Sequence, residues 1–201
     1  MCGRFYVDDE TAREIERMIQ KVNNKVNGVP VGDIHPTESA TVISAQNRNM
    51  TAGLKKWGFP NSHSQNVIIN ARAESVLTKK LFRDSVLKRR LIIPAGGFYE
   101  WNSAKEKVTF SPFIQDSTKH PALFMAGFYN HFQEEDCFVI LTTAANDSMK
   151  GTHDRMPLTL EPDELDEWLF DDRSLEKYLH KTPAPLCKKQ DYAQLLLDNI
   201  L

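Results

Sequence analysis

Residues 91–101, which read LIIPAGGFYEW, open the part of the sequence that decides the fold. The apolar run at 91–93 predicts a strand, and further strand-like segments follow near residues 98–102, 107–114, 122–130 and 137–143. Only short turns separate these segments, and short connections join antiparallel strands rather than parallel ones. The pattern predicts an α+β fold with a mostly antiparallel, curled or barrel-like β core and peripheral helices.

The segments outside this core supply the predicted helices. Thr11 and Glu14 resemble a capping box, and apolar residues at helical spacing then predict a helix over about residues 11–22. Residues 73–90 read as a second helix, and Pro162 stands where a third could begin. The remaining predicted elements are a loop over 23–36, strands at about 40–44 and 67–69, and helices over 164–170 and 174–180. We expect a single domain over residues 1–201.

Composition limits the classes of protein to consider. The chain has 201 residues, a net charge of −2 and three cysteines, at positions 2, 137 and 187. The odd number and the lack of a C-x-x-C pair argue against a disulfide framework and a cysteine zinc site. No apolar run approaches a membrane span, and the start has no signal-peptide pattern. We expect a cytoplasmic monomer that does not enter membranes and uses neither a metal nor another cofactor.

Cys2 is the most informative single residue. Removal of Met1 would leave an α-amine and a thiol on one carbon skeleton. Such an aminothiol captures an aldehyde, because the amine forms an imine and the thiolate closes on it to give a thiazolidine. The ordinary pKa values, about 8 for the amine and about 8.5 for the thiol, suit this reaction near neutral pH. An incidental N-terminal cysteine is the alternative, so the rest of the chain must decide.

Asn70 and His153 lie in two segments that packing alone would not favour. Asn70 ends an apolar strand and can both donate and accept hydrogen bonds, which suits orienting an amine or polarising a carbonyl. A turn or helix-capping role is the alternative. His153, in the segment THDRMP, can move a proton near neutral pH, although a lone histidine is often only a surface or core residue.

Glu100 lies in a third such segment, among aromatic residues. It is a candidate proton donor and acceptor. The alternative is a glutamate on the wet face of a strand. Strand alternation fits that alternative poorly, because Glu100 shares a face with Phe98 while Tyr99 and Trp101 share the other.

Four motifs together resemble one known family. MCGRF at residues 1–5, NARAES at 70–75, RRLIIPAGGFYEW at 89–101 and THDRMP at 152–157 closely resemble the SOS-response-associated peptidase family, the abasic-site-processing proteins. The resemblance implies a single α+β domain with a barrel-like core that binds single-stranded DNA containing abasic sites. It implies a thiazolidine cross-link between the N-terminal cysteine and the ring-opened aldehyde, which protects the lesion during the DNA damage response.

The resemblance also implies roles for individual residues. Cys2 is the nucleophile, Asn70 holds its amine and the sugar, Glu100 assists imine chemistry and its reversal, and His153 acts as general acid or base at the sugar hydroxyl. Arg4, Arg72 and Arg155 hold phosphates, while Trp57 with Pro36 forms a wedge that stacks on bases. The peptidase label refers to removal of the first residue, which is autocatalytic or due to an aminopeptidase. The protein would be nucleoid-associated when it is bound to DNA.

Chemistry and the resemblance agree, with two alternatives left open. Single-strand binding combines a basic groove with stacking aromatics. Further basic residues could line such a groove, namely Lys55, Lys56, Arg89 and Arg90. One alternative is an N-terminal-nucleophile amidohydrolase, in which the Cys2 thiol attacks an amide and its own amine is the base. The other is a DNA-binding module in which Cys2 is passive.

Overall fold

The computed structural model describes residues 2–21, 28–61, 64–113 and 122–190. The helices in these ranges are α1 (Asp9–Lys21), α2 (Lys80–Lys88), α3 (Leu165–Phe170) and α4 (Leu175–Leu179). The strands are β1 (Phe5–Val7), β2 (Gly32–Ile34), β3 (Ser39–Gln46), β4 (Asn49–Trp57), β5 (Phe59–Pro60), β6 (Val67–Ile68), β7 (Asn70–Arg72), β8 (Arg90–Ala95), β9 (Gly97–Trp101), β10 (Lys107–Pro112), β11 (Leu123–Phe132), β12 (Glu135–Ala144), β13 (Arg155–Pro157), β14 (Thr159–Leu160) and β15 (Leu186–Gln190).

Five strands close into a barrel in the order β12-β4-β3-β8-β11 and back to β12. Neighbouring strands of the barrel are antiparallel, except that β12 pairs in parallel with the end of β4. Strand β12 also pairs in parallel with β7, which follows β4 along the chain. The β3–β4 hairpin turns through Asn47 and Arg48, which both have positive φ, of 50° and 63°. Such a two-residue turn matches the right-handed twist of its strands. The α+β prediction with a mostly antiparallel barrel-like core is therefore confirmed.

Strand β8 and parts of β3, β11 and β12 are buried on both faces, which explains their nearly continuous apolar runs, whereas β4 is mostly half-buried. Leu91 and Ile93 of β8 face one core together with Phe98, while Ile92 between them faces a second core. Helices α3 and α4 cover that second core through Trp168 and Tyr178. The indole nitrogen of Trp168 donates to the carbonyl of Leu91 at 3.0 Å, which ties α3 to the barrel wall.

A second sheet, in the order β15-β10-β9-β1-β2, brings the N-terminus against the first core. In β1, Phe5 pairs with Phe98. The two glycines before Phe98 allow close packing on both sides of β9, because a Cβ on Gly96 would lie 2.6 Å from the Tyr6 ring of β1 and one on Gly97 would meet the carbonyl oxygen of Phe110 in β10. The same pairing carries Cys2 into the protein interior.

One helix prediction is confirmed with an earlier start, and another was wrong. Helix α1 begins at Asp9 instead of Thr11, because the carboxylate of Asp8 accepts a hydrogen bond of 2.8 Å from the Thr11 amide and caps the helix. The helix predicted over 73–90 is a 3-10 turn at Ala73–Ser75 followed by α2. The Thr78 hydroxyl donates to the carbonyl of Ser75 at 2.8 Å, a local bond that competes with a continuous helix.

The sequence analysis did not predict several short strands, nor β4, which contains Gly53 and two lysines. Pairing across the barrel stabilises these strands, whereas their own composition does not favour a strand. Other predicted positions lie outside the described residues, namely the helix end at 22, part of the loop at 23–27 and the strand end at 114. The single-domain assignment to residues 1–201 stays a prediction.

Candidate functional site

Asn70 and Cys2, far apart in the sequence, are in direct contact. The Asn70 side-chain amide donates a hydrogen bond of 2.9 Å to the carbonyl oxygen of Cys2. The Asn70 Oδ1 atom is buried and has no hydrogen-bond partner within the described ranges. Because a buried acceptor without a partner is costly, this oxygen is a natural position for an incoming donor. Strand β7 supplies Asn70 by pairing with β12, with Asn70 opposite Ile140.

The Cys2 thiol is fully buried, with 0% of the residue exposed. Its sulfur lies 3.8 Å from the carbonyl oxygen of Arg4, to which it can donate. Burial and the negative charge of Glu100 together raise the pKa of the Cys2 thiol far above its ordinary value. In this arrangement the thiol is protonated at neutral pH, so its reaction requires a group that accepts the proton.

Glu100 faces the same core as Cys2. Only 4% of Glu100 is exposed, and its neighbours Phe98 and Val108 belong to the core that contains Cys2. The prediction that Glu100 shares the face of Phe98 is confirmed, while Trp101 on the opposite face is exposed. Glu100 therefore lies close enough to the Cys2 thiol for its charge to act on that group.

His153 lies just before β13 and makes two contacts through one ring nitrogen. The backbone amide of Arg155 donates to Nδ1 at 3.0 Å, and a carboxylate oxygen of Asp154 lies 2.7 Å from the same atom. Nδ1 can accept from Arg155 only when it carries no proton, and it can donate to Asp154 only when it carries one. The protonation state or tautomer of His153 therefore selects between the two partners.

Arg155 has a protein partner where the sequence predicted a phosphate. Its two terminal nitrogens contact the two carboxylate oxygens of Glu74 at 2.6 and 2.9 Å, and Nη2 also donates to the carbonyl of Thr142 at 2.7 Å. The Arg155 side chain is only 13% exposed. The phosphate contact of Arg155 stays a prediction, and in this structure its two terminal nitrogens are held by Glu74.

Arg4 and Arg72 are placed differently. The Arg4 guanidinium lies 5.3 Å above the ring of Trp101 and 3.7 Å from a carboxylate oxygen of Asp33. Arg72 is exposed, and among the described residues we find no ion pair that engages it. Arg72 thus presents a charge to solvent two residues from Asn70, whereas Arg4 would share its charge with Asp33.

The predicted stacking role of Trp57 is wrong for this structure. Its ring is 0% exposed and lies between Phe5, with centroids 5.0 Å apart, and Phe138, at 6.3 Å. Its indole nitrogen donates to the carbonyl of Ile69 at 3.1 Å. Strand alternation turns Trp57 into the core, so no ring face remains for a base.

Pro36 is partly exposed, in a turn next to Trp57. In that turn the Thr37 amide donates to the carbonyl of Trp57 at 2.8 Å. Trp57 therefore supports the turn from inside, and Pro36 remains as the accessible part of the predicted wedge.

The additional basic groove is also corrected. Lys55 pairs with Asp136, and Lys56 pairs with Glu135 at 2.9 Å. Arg90 is buried and contacts both Asp172 and the carbonyl of Trp168 at 2.6 Å. Arg89 donates to the carbonyl of Tyr129. These cations stabilise packing between elements, so they do not form a free basic surface.

Glu74 and Asp33 are residues to which the sequence alone assigned no role. Glu74 was visible within NARAES, but its partner Arg155 lies 81 positions away. Asp33, which contacts Arg4 and accepts a hydrogen bond of 3.0 Å from the Tyr99 hydroxyl, carried no sequence signal. Within the described residues no group of three or more potential ligands is placed to hold a metal, and no helix there is long and apolar enough to cross a membrane.

The fold and this constellation define a known class of protein. The family model described as SOS response associated peptidase (SRAP) matches residues 1–194. The chain therefore belongs to the SRAP family.

Individual relatives extend the comparison. The chain is 32% identical over 197 residues to the abasic site processing protein YoaM of Bacillus subtilis, covering 92% of this chain and 86% of YoaM. It is 26% identical to the abasic site processing protein YedK of Escherichia coli, covering 84% of this chain and 79% of YedK. A crystal structure of a Bordetella bronchiseptica protein shares the fold, with a TM-score of 0.74 at 22% identity, and the match covers 94% of this chain and 99% of the other.

Proposed function

We propose that this protein processes abasic sites in single-stranded DNA by forming a covalent thiazolidine through Cys2. The observation that carries the proposal is the contact of Asn70 with the Cys2 carbonyl, in a core where the charge of Glu100 acts on the Cys2 thiol. The names of the relatives support abasic sites as the substrate class.

The chemistry begins with removal of Met1. Water adds across the Met1–Cys2 peptide bond, which releases free methionine and leaves an α-amine on Cys2. This cleavage is autocatalytic or is carried out by an aminopeptidase. The new amine then condenses with the aldehyde of the ring-opened abasic sugar and expels one water to form an imine.

Ring closure follows at the imine carbon. The Cys2 sulfur adds to that carbon, Glu100 takes the thiol proton, and Glu100 delivers the same proton to the imine nitrogen. The product contains new C–N and C–S bonds and is smaller than the sum of protein and DNA by one water molecule. Glu100 returns the proton when the adduct reverses, so the same residue serves both directions.

The neighbouring groups have positioning and proton-transfer roles in this proposal. The buried Oδ1 of Asn70 accepts a hydrogen bond from the Cys2 amine while its amide holds the Cys2 carbonyl. His153 exchanges a proton with the sugar hydroxyl. Arg72 contacts a flanking phosphate, Arg4 provides a second such contact, and Pro36 separates bases next to the lesion.

The deciding experiment is denaturing electrophoresis of the protein with an abasic single strand, combined with intact mass measurement. We expect an adduct that survives denaturation and has lost one water, on protein that lacks Met1. Cys2→Ala and an undamaged strand are the controls, and neither should give an adduct. An adduct on protein that retains Met1 would exclude the aminothiol mechanism, because the peptide-bonded nitrogen is not a nucleophile.

The amidohydrolase alternative receives less support from the site. It requires free donors for the oxyanion of a tetrahedral intermediate. The Asn70 amide, which was the expected donor, already gives one of its two N–H groups to the carbonyl of Cys2 itself. Turnover of an amide substrate by the processed protein, with no adduct on abasic DNA, would favour the alternative.

A further inference from the structure

Asn70 and His153 belong to two segments that are each held to strand β12, one by β7 and the other by β13. Strand β12 pairs with β7, with Thr142 opposite Arg72, and it also pairs with β13, with Ala144 opposite Arg155. Asn70 belongs to β7, and His153 precedes β13 by two residues. Their relative placement therefore depends on how these two segments are held to β12.

The Glu74–Arg155 ion pair connects these segments directly. Glu74 follows β7, and both of its carboxylate oxygens contact the guanidinium of Arg155, the first residue of β13. A third bond joins Arg155 to the carbonyl of Thr142 on β12. A two-point contact of this kind restrains orientation as well as distance, which a single hydrogen bond does not.

The same arginine acts on His153 through its main chain. The Arg155 amide donates to His153 Nδ1 at 3.0 Å, and a neutral ring that accepts there carries its proton on Nε2. If the Arg155 backbone shifts, Nδ1 loses this donor and the Asp154 carboxylate, 2.7 Å away, favours a proton on Nδ1 instead. Restraint of Arg155 thus keeps a donor at Nδ1, which opposes a proton on that atom.

We infer that Glu74 is a positioning residue: through Arg155 it holds His153 in the Nε2–H tautomer and in register with Asn70. The inference rests on the proposed function for its effect on the reaction, because His153 acts there on the sugar hydroxyl. Its effect on the tautomer is independent of that function. The contacts of Glu74 on which the inference rests are those with Arg155, and they do not involve Cys2 or His153.

The test compares Glu74→Gln with Glu135→Gln. Glu135 is a matched control, because it also forms an exposed ion pair, with Lys56. The contacts described for Glu135 do not involve Asn70, His153 or Arg155. Two-bond ¹H–¹⁵N spectra of the imidazole nitrogens, recorded on the folded proteins without DNA, report the tautomer. We expect Nε2–H in the parent and in Glu135→Gln, and a substantial Nδ1–H population in Glu74→Gln.

The reaction supplies a second readout. At saturating abasic strand, Glu74→Gln should form the adduct about 10-fold more slowly, a modest part of a general acid–base contribution of about 10²–10⁴-fold. Its affinity for an undamaged strand should change less than about 2-fold, and Glu74→Asp should recover part of the rate. An unchanged tautomer, or equal rate losses in Glu74→Gln and Glu135→Gln, would overturn the inference. A parent protein that forms no adduct would refute the proposed function, while the spectra would still decide the role of Glu74.

Discussion

The side-chain amide of Asn70 donates a 2.9 Å hydrogen bond to the carbonyl oxygen of Cys2, joining residues that are 68 positions apart. The bond fixes the main chain of Cys2, which is the N-terminal residue in the proposed function. It leaves the Asn70 side-chain oxygen buried next to that residue. One side chain can therefore restrain the carbonyl of Cys2 and still accept a hydrogen bond from its amine.

Replacing Asn70 tests this double role. Asn70→Asp removes the donor and places a negative oxygen against the Cys2 carbonyl, so we expect adduct formation to slow more than in Asn70→Ala. Loss of one hydrogen bond should lower the free energy of unfolding by about 1 kcal/mol. Rates at saturating abasic strand and denaturant unfolding measure the two effects. Asn49→Ala, on an exposed hairpin residue, is the control, and a rate in Asn70→Asp equal to that of the control would refute the assignment.

Glu100→Gln should change the acidity of the Cys2 thiol. Burial and the charge of Glu100 both raise the pKa of the thiol, so removing the charge lowers that pKa while burial keeps it above the ordinary value. Below the pKa the thiolate fraction rises about tenfold per pH unit. At a given pH near neutrality, alkylation of Cys2 in Glu100→Gln should therefore be faster than in the parent.

Adduct formation with abasic DNA should respond in the opposite direction, because glutamine cannot exchange the proton. Alkylation rates measured by mass spectrometry between about pH 6 and about pH 9, on either side of neutrality, are compared with cross-linking rates over the same range. Slower alkylation in Glu100→Gln would show that the carboxylate does not act on the thiol.

Trp57→Ala should affect stability rather than base stacking. The ring is buried between Phe5 and Phe138, and truncation of a buried aromatic residue costs about 3–5 kcal/mol. We expect a large fall in the denaturant midpoint, with near-parental DNA affinity for the fraction that remains folded. Trp57→Phe should be much milder. A selective loss of DNA affinity in Trp57→Phe, with the midpoint unchanged, would instead support stacking.

Arg72→Ala should reduce the salt dependence of DNA binding. If Arg72 contacts one phosphate, the slope of log K against log salt for a single strand should become less negative by about 0.7. Arg173 is a suitable control, because its side chain is 93% exposed but lies beside Asp171 before α4. Fluorescence anisotropy at several salt concentrations measures the slope. Identical slopes for the parent and Arg72→Ala would exclude the contact.

Local pattern predicted the features that depend on neighbouring residues. Alternation along β9 places Glu100 beside Phe98 and leaves Trp101 exposed, since successive side chains of a strand point to opposite faces. The apolar runs between 91 and 143 predicted the antiparallel core. By contrast, the continuous helix over 73–90 was wrong, because periodicity does not report the local Thr78–Ser75 hydrogen bond or the pairing of Arg90 with Phe128.

The barrel-like α+β fold and the family membership could be predicted from the sequence, which also supplied the candidate site residues. The partner of each charged or aromatic side chain emerged only from the folded structure. Arg155 binds Glu74 with its two terminal nitrogens instead of presenting them to solvent, and Trp57 fills the core instead of a DNA wedge. The physical reason is that ion pairing and burial depend on residues brought together by strand pairing across the barrel, often more than 60 positions apart in the chain.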